Sequence, residues 1–186
     1  MRLRKGPAPF APVALLGGAS IRLRAASAAE VDEAATRAGE YVGALFLGGQ
    51  AADALAALAP QFDLKALAAL AAQAQATSGA GEPLRVALNL KTSVERLVEW
   101  LMLVELAAVC HDGWKGVSDE DGSDIAVPDI GSLALLLQDQ VLRERVSVRI
   151  YSSVHEEISE GNASAASRSG VAAADRNTAG AAVPKA

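Results

Sequence analysis

Residues 84–111 read LRVALNLKTSVERLVEWLMLVELAAVCH, the most hydrophobic stretch of the chain. From Val94 onward Val94, Leu97, Val98, Leu101, Leu103, Val104, Leu106 and Val109 recur at helical spacing, with Trp100 and Met102 beside them. Only Glu95, Arg96, Glu99 and Glu105 interrupt this surface. Thr92-Ser93-Val94-Glu95 has the pattern of a capping box, which starts the helix there and leaves 84–90 open between strand and helix. An apolar surface that wraps most of the way round a helix needs more cover than one neighbour gives. This helix is therefore the centre of the domain or the carrier of a surface kept for a partner, and core placement is the usual fate.

The rest of the composition fits a helical setting. Of 186 residues 51% are nominally hydrophobic, but 41 are Ala, which buries little area, and only 4% are aromatic. Ala is the best helix former, so a mainly α fold is expected, as one domain of modest core. The single Cys110 excludes an intramolecular disulfide and argues against a Cys-based zinc site. Every apolar run is cut by charge before it reaches membrane-spanning length. Residues 1–24 hold five bases and no acid, and the remainder carries a net charge of −10. A clustered basic face of the kind nucleic acid requires is not expected from that balance. Pro7, Pro9 and Pro12 break the apolar stretch after the basic start, against its reading as a secretory signal.

Upstream of the decisive stretch, 12–24 (PVALLGGASIRLR) places two apolar runs around Gly17-Gly18, and Ile21 and Leu23 alternate with Arg22 and Arg24. That is a β-hairpin with a tight glycine turn and one wet face. Ser27-Ala-Ala-Glu30 is a capping box that opens an amphipathic helix on Val31, Ala34, Ala38, Tyr41, Val42 and Leu45, stopped by Gly48-Gly49. Residues 50–60 read as a short helix ending at Pro60, and Asp63 caps another that runs to about Ala76.

Downstream, Asp112-Gly113-Trp114-Lys115-Gly116-Val117 ends the long helix and an acidic loop follows from Ser118 to Pro128. Leu133, Leu135, Leu136 and Leu137 make a short helix. In 141–158, Leu142, Val146, Ile150, Val154 and Ile158 sit four apart, while Val146, Val148 and Ile150 also alternate; length and the absence of Gly or Pro favour helix. From Gly161 the chain is Ala, Ser, Gly and Asn, too poor in large apolar residues to offset the entropy of ordering. The organisation expected is a flexible basic start (1–11), one hairpin-plus-helical-bundle domain (12–160) and a disordered tail (161–186).

No motif for bond-making chemistry is found. Cys110 and His111 are adjacent, so on a helix they point about 100° apart and do not face one another. A buried thiol and a helix-end His is the simpler reading, and His155 beside Glu156-Glu157 reads as a solvated face. Asp119 to Asp124 fails as a calcium loop, because aligning Gly122 with the sixth position puts Val117 and Pro128 on ligand positions. There is no Walker A, GxGxxG, HExxH or GxSxG pattern. Catalytic, cofactor-binding and metal residues are accordingly expected to be none.

The order of elements, from a glycine-turn hairpin and a capped helix through the long apolar helix into Gly113-Trp114-Lys115-Gly116-Val117, the Asp121-Gly122 turn and a Leu-rich helix pair, ends in a small-residue tail. That tail carries Glu160-Gly161-Asn162-Ala163-Ser164 and Ser167-Arg168-Ser169-Gly170. This order resembles the small tail assembly chaperone proteins of long-tailed bacteriophages and prophages, over about residues 12–170. The resemblance implies a non-enzymatic role in the host cytoplasm: holding the tape measure protein, helping tail tube subunits gather round it, and leaving before the virion matures. It also implies that a frameshifted longer form can exist in such systems, and it makes Trp114 and its glycines structural. The alternative is a structural minor tail or adaptor component of the virion. Neither membrane nor nucleic acid is expected as a partner, and self-association is, given the thin core. Candidate partner-binding residues are Tyr41, Leu45, Trp100, Leu101, Leu103, Val104 and Trp114.

Overall fold

The 84–111 stretch belongs to one unbroken helix, α4 (Pro83–Cys110). A computed structural model describes it together with residues 8–47, 51–76, 83–118, 121–125 and 127–152. At 1.5 Å per residue α4 is about 42 Å long. Pro83 opens it, where its missing N–H costs nothing, and no Gly or Pro interrupts it afterwards. Thr92 is therefore not a cap. Its hydroxyl donates back to the Leu88 carbonyl at 3.0 Å, a mid-helix bond to the preceding turn. The capping-box reading at Thr92–Glu95 fails because such a box needs a non-helical residue at its head, and Leu84 to Leu90 are themselves good helix formers.

The other elements close around the second half of α4. Leu97, Leu101, Val104 and Leu106 are fully buried, and Trp100, Leu103, Ala107 and Cys110 nearly so. Helix α1 (Ala28–Leu47) lies against α4 through Ala34, Ala38, Val42 and Leu45. Its start is the capping box read from sequence: the Ser27 N–H donates to Glu30 Oε2 at 2.8 Å and the Glu30 N–H to Ser27 Oγ at 3.3 Å. Helix α2 (Ala51–Leu58) places Leu55 and Leu58 in the core. Helix α3 (Leu64–Ala76) packs on α4 through Leu67 and Ala71, capped by Asp63, whose Oδ1 accepts the Ala66 N–H at 2.9 Å.

The hairpin forms as β1 (Ala11–Ala14) and β2 (Ser20–Leu23), antiparallel from Ala11 opposite Leu23 to Ala14 opposite Ser20. The Leu15 N–H bonds the Ala19 carbonyl at 2.8 Å, so the connection is three residues, Leu16 to Gly18, and not a two-residue turn. Gly17 and Gly18 both have positive φ, a region that side chains with a Cβ rarely adopt. The hairpin does not stand alone. Residues His111–Lys115, read from sequence as the end of the long helix, form β3, and β2 becomes the central strand of a three-stranded antiparallel sheet. Leu23 faces His111 and Ile21 faces Trp114, so Arg22 faces two residues, Asp112 and Gly113. This is a β-bulge with glycine at a positive φ of 86°. Sequence missed the strand because its five residues, HDGWK, have neither β-branched content nor alternation; β2 supplies the pairing.

The chain closes with α5 (Ile130–Leu136) and α6 (140–152). Asp129 caps α5 by accepting the Ser132 N–H at 2.8 Å, and Asp139 accepts the Leu142 N–H at 2.9 Å ahead of α6. Leu142, Val146 and Ile150 are buried whereas Val148 is 72% exposed, so the four-residue period wins over the strand-like alternation. Arg149 on α6 ties the sheet down, donating from Nε to the Leu23 carbonyl at 3.1 Å and from Nη2 to that of Pro9 at 2.5 Å. Arg145 donates to the Ala14 carbonyl at 3.2 Å. Residues 8–11, assigned from sequence to a flexible start, are thus held in place, and Ala11 is part of β1. Residues 1–7, Val154, His155, Ile158 and the tail at 161–186 lie outside the described residues. The fold is mainly helical, with six helices among the described residues and a small antiparallel sheet near the N-terminus.

Ser27→Ala is expected to lower stability by about 1 kcal/mol, the usual cost of a lost N-cap. Thr92→Ala is expected to leave it unchanged or slightly raised, since Ala is the better interior helix residue. Paired urea melts of the two variants check both.

Candidate functional site

Three elements leave a gap between them. The second half of α4, the exposed flank of α6 and the Gln61-Phe62 connection between α2 and α3 enclose a surface groove of about 880 Å³. Its floor and walls are apolar: Phe62, Trp100, Met102, Leu103, Val148 and Tyr151. Trp100 is 5% exposed, and its indole N–H donates to the Leu58 carbonyl at 2.7 Å. The Phe62 ring lies 6.3 Å from the indole at a tilt of 57°, a favourable aromatic geometry. The Trp100 polar atom is therefore satisfied inside the core, and what the ring presents to the groove is hydrocarbon.

Charge lines the rim. Arg96 and Glu99 stand on α4, Arg143 and Glu144 on α6. Arg143 places its guanidinium 5.9 Å from the Trp100 ring centroid, within cation–π range. Glu144 accepts a hydrogen bond from Gln140 at 3.1 Å. Among the described residues, none of these four charges belongs to an ion pair. The Tyr151 phenol is pushed above its ordinary value, first by burial and then by the charge of Glu99. The groove is thus a hydrocarbon trough with two cations and two anions on its lips.

Of the seven candidate partner-binding residues, the structure brings only Trp100 and Leu103 to this groove. Leu101 and Val104 have no exposed surface, and Leu45 and Trp114, at 7% and 8% exposure, do not line the groove; Trp100 and Leu103 line it but are themselves only 5% and 6% exposed. Trp114 donates its indole N–H to the Ile125 carbonyl at 2.6 Å, pinning the acidic loop to the sheet. Half-buried Tyr41 donates to Glu105 Oε1 at 3.2 Å. The placement of these five follows from the wrap-around apolar surface of α4, which recruits α1 and the sheet as well as α3. Phe62, Arg143, Val148 and Tyr151 were not singled out from sequence. The available signal was the 3–4 spacing of 144, 147, 148 and 151, which reads as a second helical stripe beside the core stripe 142, 146, 150.

Two other polar clusters hold the fold together. Glu105 is the one buried charged residue among those described, at 5% exposure. It accepts from Tyr41 and from Arg37 Nη1 at 3.3 Å, and Arg37 also pairs with Glu33. The second cluster is at Glu30, whose carboxylate takes Arg24 Nη1 at 2.9 Å and Nη2 at 2.6 Å. Arg24 also donates its backbone N–H to the Cys110 carbonyl at 3.0 Å, so the start of α1 is locked to the end of α4.

Cys110 and His111 are held apart in role. Burial pushes the Cys110 thiol up to about 11, so it stays protonated and unreactive at neutral pH. His111 is in β3, not at a helix end, and its Nδ1 accepts the Gly113 N–H at 3.1 Å. Burial pushes its imidazole below the ordinary value. The expected cation at the end of the helix is replaced by a neutral acceptor that supports the bulge. Among the described residues no group of three His, Cys, Asp or Glu converges as a metal site, and no helix is long and apolar enough to cross a membrane. Ser118 and Asp124 bridge across the acidic loop, with Ser118 Oγ donating to Asp124 Oδ1 at 3.2 Å. Compared with known proteins, the chain matches no family model, no curated sequence and no solved structure.

Arg37→Ala is expected to cost more stability than Glu105→Leu. The first leaves a buried carboxylate with Tyr41 alone, at about 1–3 kcal/mol for an under-satisfied polar group. The second leaves Arg37 with Glu33 and solvent, while Leu fills the site. Chemical denaturation of both variants checks the order. A pH series tests Glu30, whose carboxyl is held at about 2, chiefly by the Arg24 hydrogen bonds and further by Ser27. With the folded value below the ordinary 4.5, this contribution is complete above about 4.5 and is lost as pH falls through about 2. Glu30→Gln is expected to flatten that limb of the stability profile.

Proposed function

We propose that this protein is a non-enzymatic tail assembly chaperone of a long-tailed phage or prophage, holding the tape measure protein and aiding tail tube assembly in the host cytoplasm. The observation that carries the reading is the groove on α4. The fold leaves there a trough of about 880 Å³ with a hydrocarbon floor and a charged rim. Apolar surface of that kind on a soluble domain marks a site for another molecule. Its lining suits a polypeptide client: aliphatic and aromatic side chains give affinity without sequence-specific polar contacts, and Met102 adds an adaptable one. A tape measure protein is long and largely helical, and needs cover until tube subunits arrive.

The polar groups at the groove are the four rim charges together with Gln61, Ser147 and the Tyr151 phenol. The resemblance of element order and of the Gly113–Val117 segment to tail assembly chaperones supports the same reading, with Trp114 as a structural residue.

Co-expression with a tape measure protein, expected from a long, heptad-rich reading frame immediately downstream, tests the proposal. The client is expected in the soluble fraction only when this protein is present, and this protein is expected to be missing from purified virions. Stoichiometric retention in the particle would support the minor tail or adaptor alternative instead.

A further inference from the structure

We propose that His111 is an acid-operated latch on β3: its neutral Nδ1 holds the bulge closed, and protonation releases the strand together with the acidic loop that Trp114 pins.

The latch follows from where the bulge sits. A β-bulge leaves backbone polar groups outside the ladder. Here the Gly113 N–H is taken by His111 Nδ1 at 3.1 Å. The next residue is Trp114, opposite Ile21, whose indole N–H donates to the Ile125 carbonyl. Ile125 in turn donates its N–H to the Val117 carbonyl at 2.9 Å. One side-chain acceptor therefore supports the link between the exit of α4, the edge strand of the sheet and the loop.

An imidazole accepts at Nδ1 only while that nitrogen carries no proton. The cation has an N–H on both nitrogens, so at Gly113 it sets one donor against another. The ring must then turn away or the bulge must open. His111 is the one imidazole among the described residues, and His is the side chain whose ordinary value places its charge change between about pH 5 and 8.

The surrounding charges do not hold the cation in place. Asp112, next to His111, is paired with Arg22 of β2 at 2.7 Å. Arg24 of β2 and Glu30 of α1 are bonded to each other. On α4 Glu105 is held by Arg37 and Tyr41, and on the loop Asp124 accepts from Ser118. Asp112 favours the imidazolium, but burial outweighs it and the value falls below the ordinary 6.5. The support that His111 gives is thus complete above 6.5 and is lost as pH falls through the lower folded value. The Arg22–Asp112 pair is half exposed at both ends and screened, so it adds little to the closure of the bulge.

Heteronuclear NMR on the full chain from about pH 7.5 to 5 tests the latch. The imidazole signal missing from His111→Asn belongs to His111 and is expected to titrate below 6.5. The Gly113 amide and the Trp114 indole N–H are expected to shift with the same midpoint. Exchange of the Gly113 amide, corrected for its intrinsic rate, is expected to rise about tenfold or more on protonation. His111→Asn keeps an acceptor that does not titrate, since an Asn oxygen bonds the N–H two residues on, and is expected to leave both signals flat. His111→Leu is expected to show the low-pH signals throughout. A His111 midpoint at or above 6.5, a Gly113 amide that ignores it, or a His111→Asn variant that titrates as the wild type does overturns the latch. A shift at Gly113 with none at Trp114 overturns it as well, because the bulge then moves without releasing the strand.

Discussion

The structure depends on one constraint: the second half of α4 is apolar over most of its circumference and needs several neighbours to cover it. A helix with a single apolar stripe is satisfied by one neighbour, but Leu97, Leu101, Val104 and Leu106 together point to more than half of the circumference. This is why α1, α3, α5 and the sheet all gather on it. It also explains the weight carried by small devices at its C-terminal end. The Arg24–Glu30 pair, the backbone bond from Arg24 to Cys110 and the bulge at Gly113 convert the exit of α4 directly into the third strand of the sheet.

Alanine governs how well that cover is made. On α1 the contact positions Ala34 and Ala38 allow close approach but fill little space, and α3 offers only Leu67 and Ala71 as buried residues. Large side chains are concentrated on α4 and at the Phe62–Trp100 corner. A core built in this way closes well on the α1 side and less completely where α4 meets α6. The groove is one place where cover runs out, and charged side chains line its rim.

The polar groups divide by burial. Glu105, Arg37 and Tyr41 lie between α1 and α4, and their bonds set the register of that contact. Arg96, Glu99, Arg143 and Glu144 line the groove without ion-pair partners among the described residues. Trp100 connects the two roles, with one edge bonded to Leu58 in the core and one face under Arg143 at the groove.

Local chemistry was sufficient for much of this in the sequence alone: the helical class, the glycine-turn hairpin, the Ser27–Glu30 box, the Asp63 cap and the placement of α4 at the centre. Each is decided by residues within a few positions of one another. Tertiary structure alone decided the rest. HDGWK became a strand because β2 offered a free edge, and Thr92–Glu95 became mid-helix because the preceding residues were already helical. Which side of α4 stayed open depended on where α6 came to lie, and α6 is separated from α4 by the sheet and a long loop. A helix that is apolar on most faces must be covered, but only the packing of distant segments determines which face stays open.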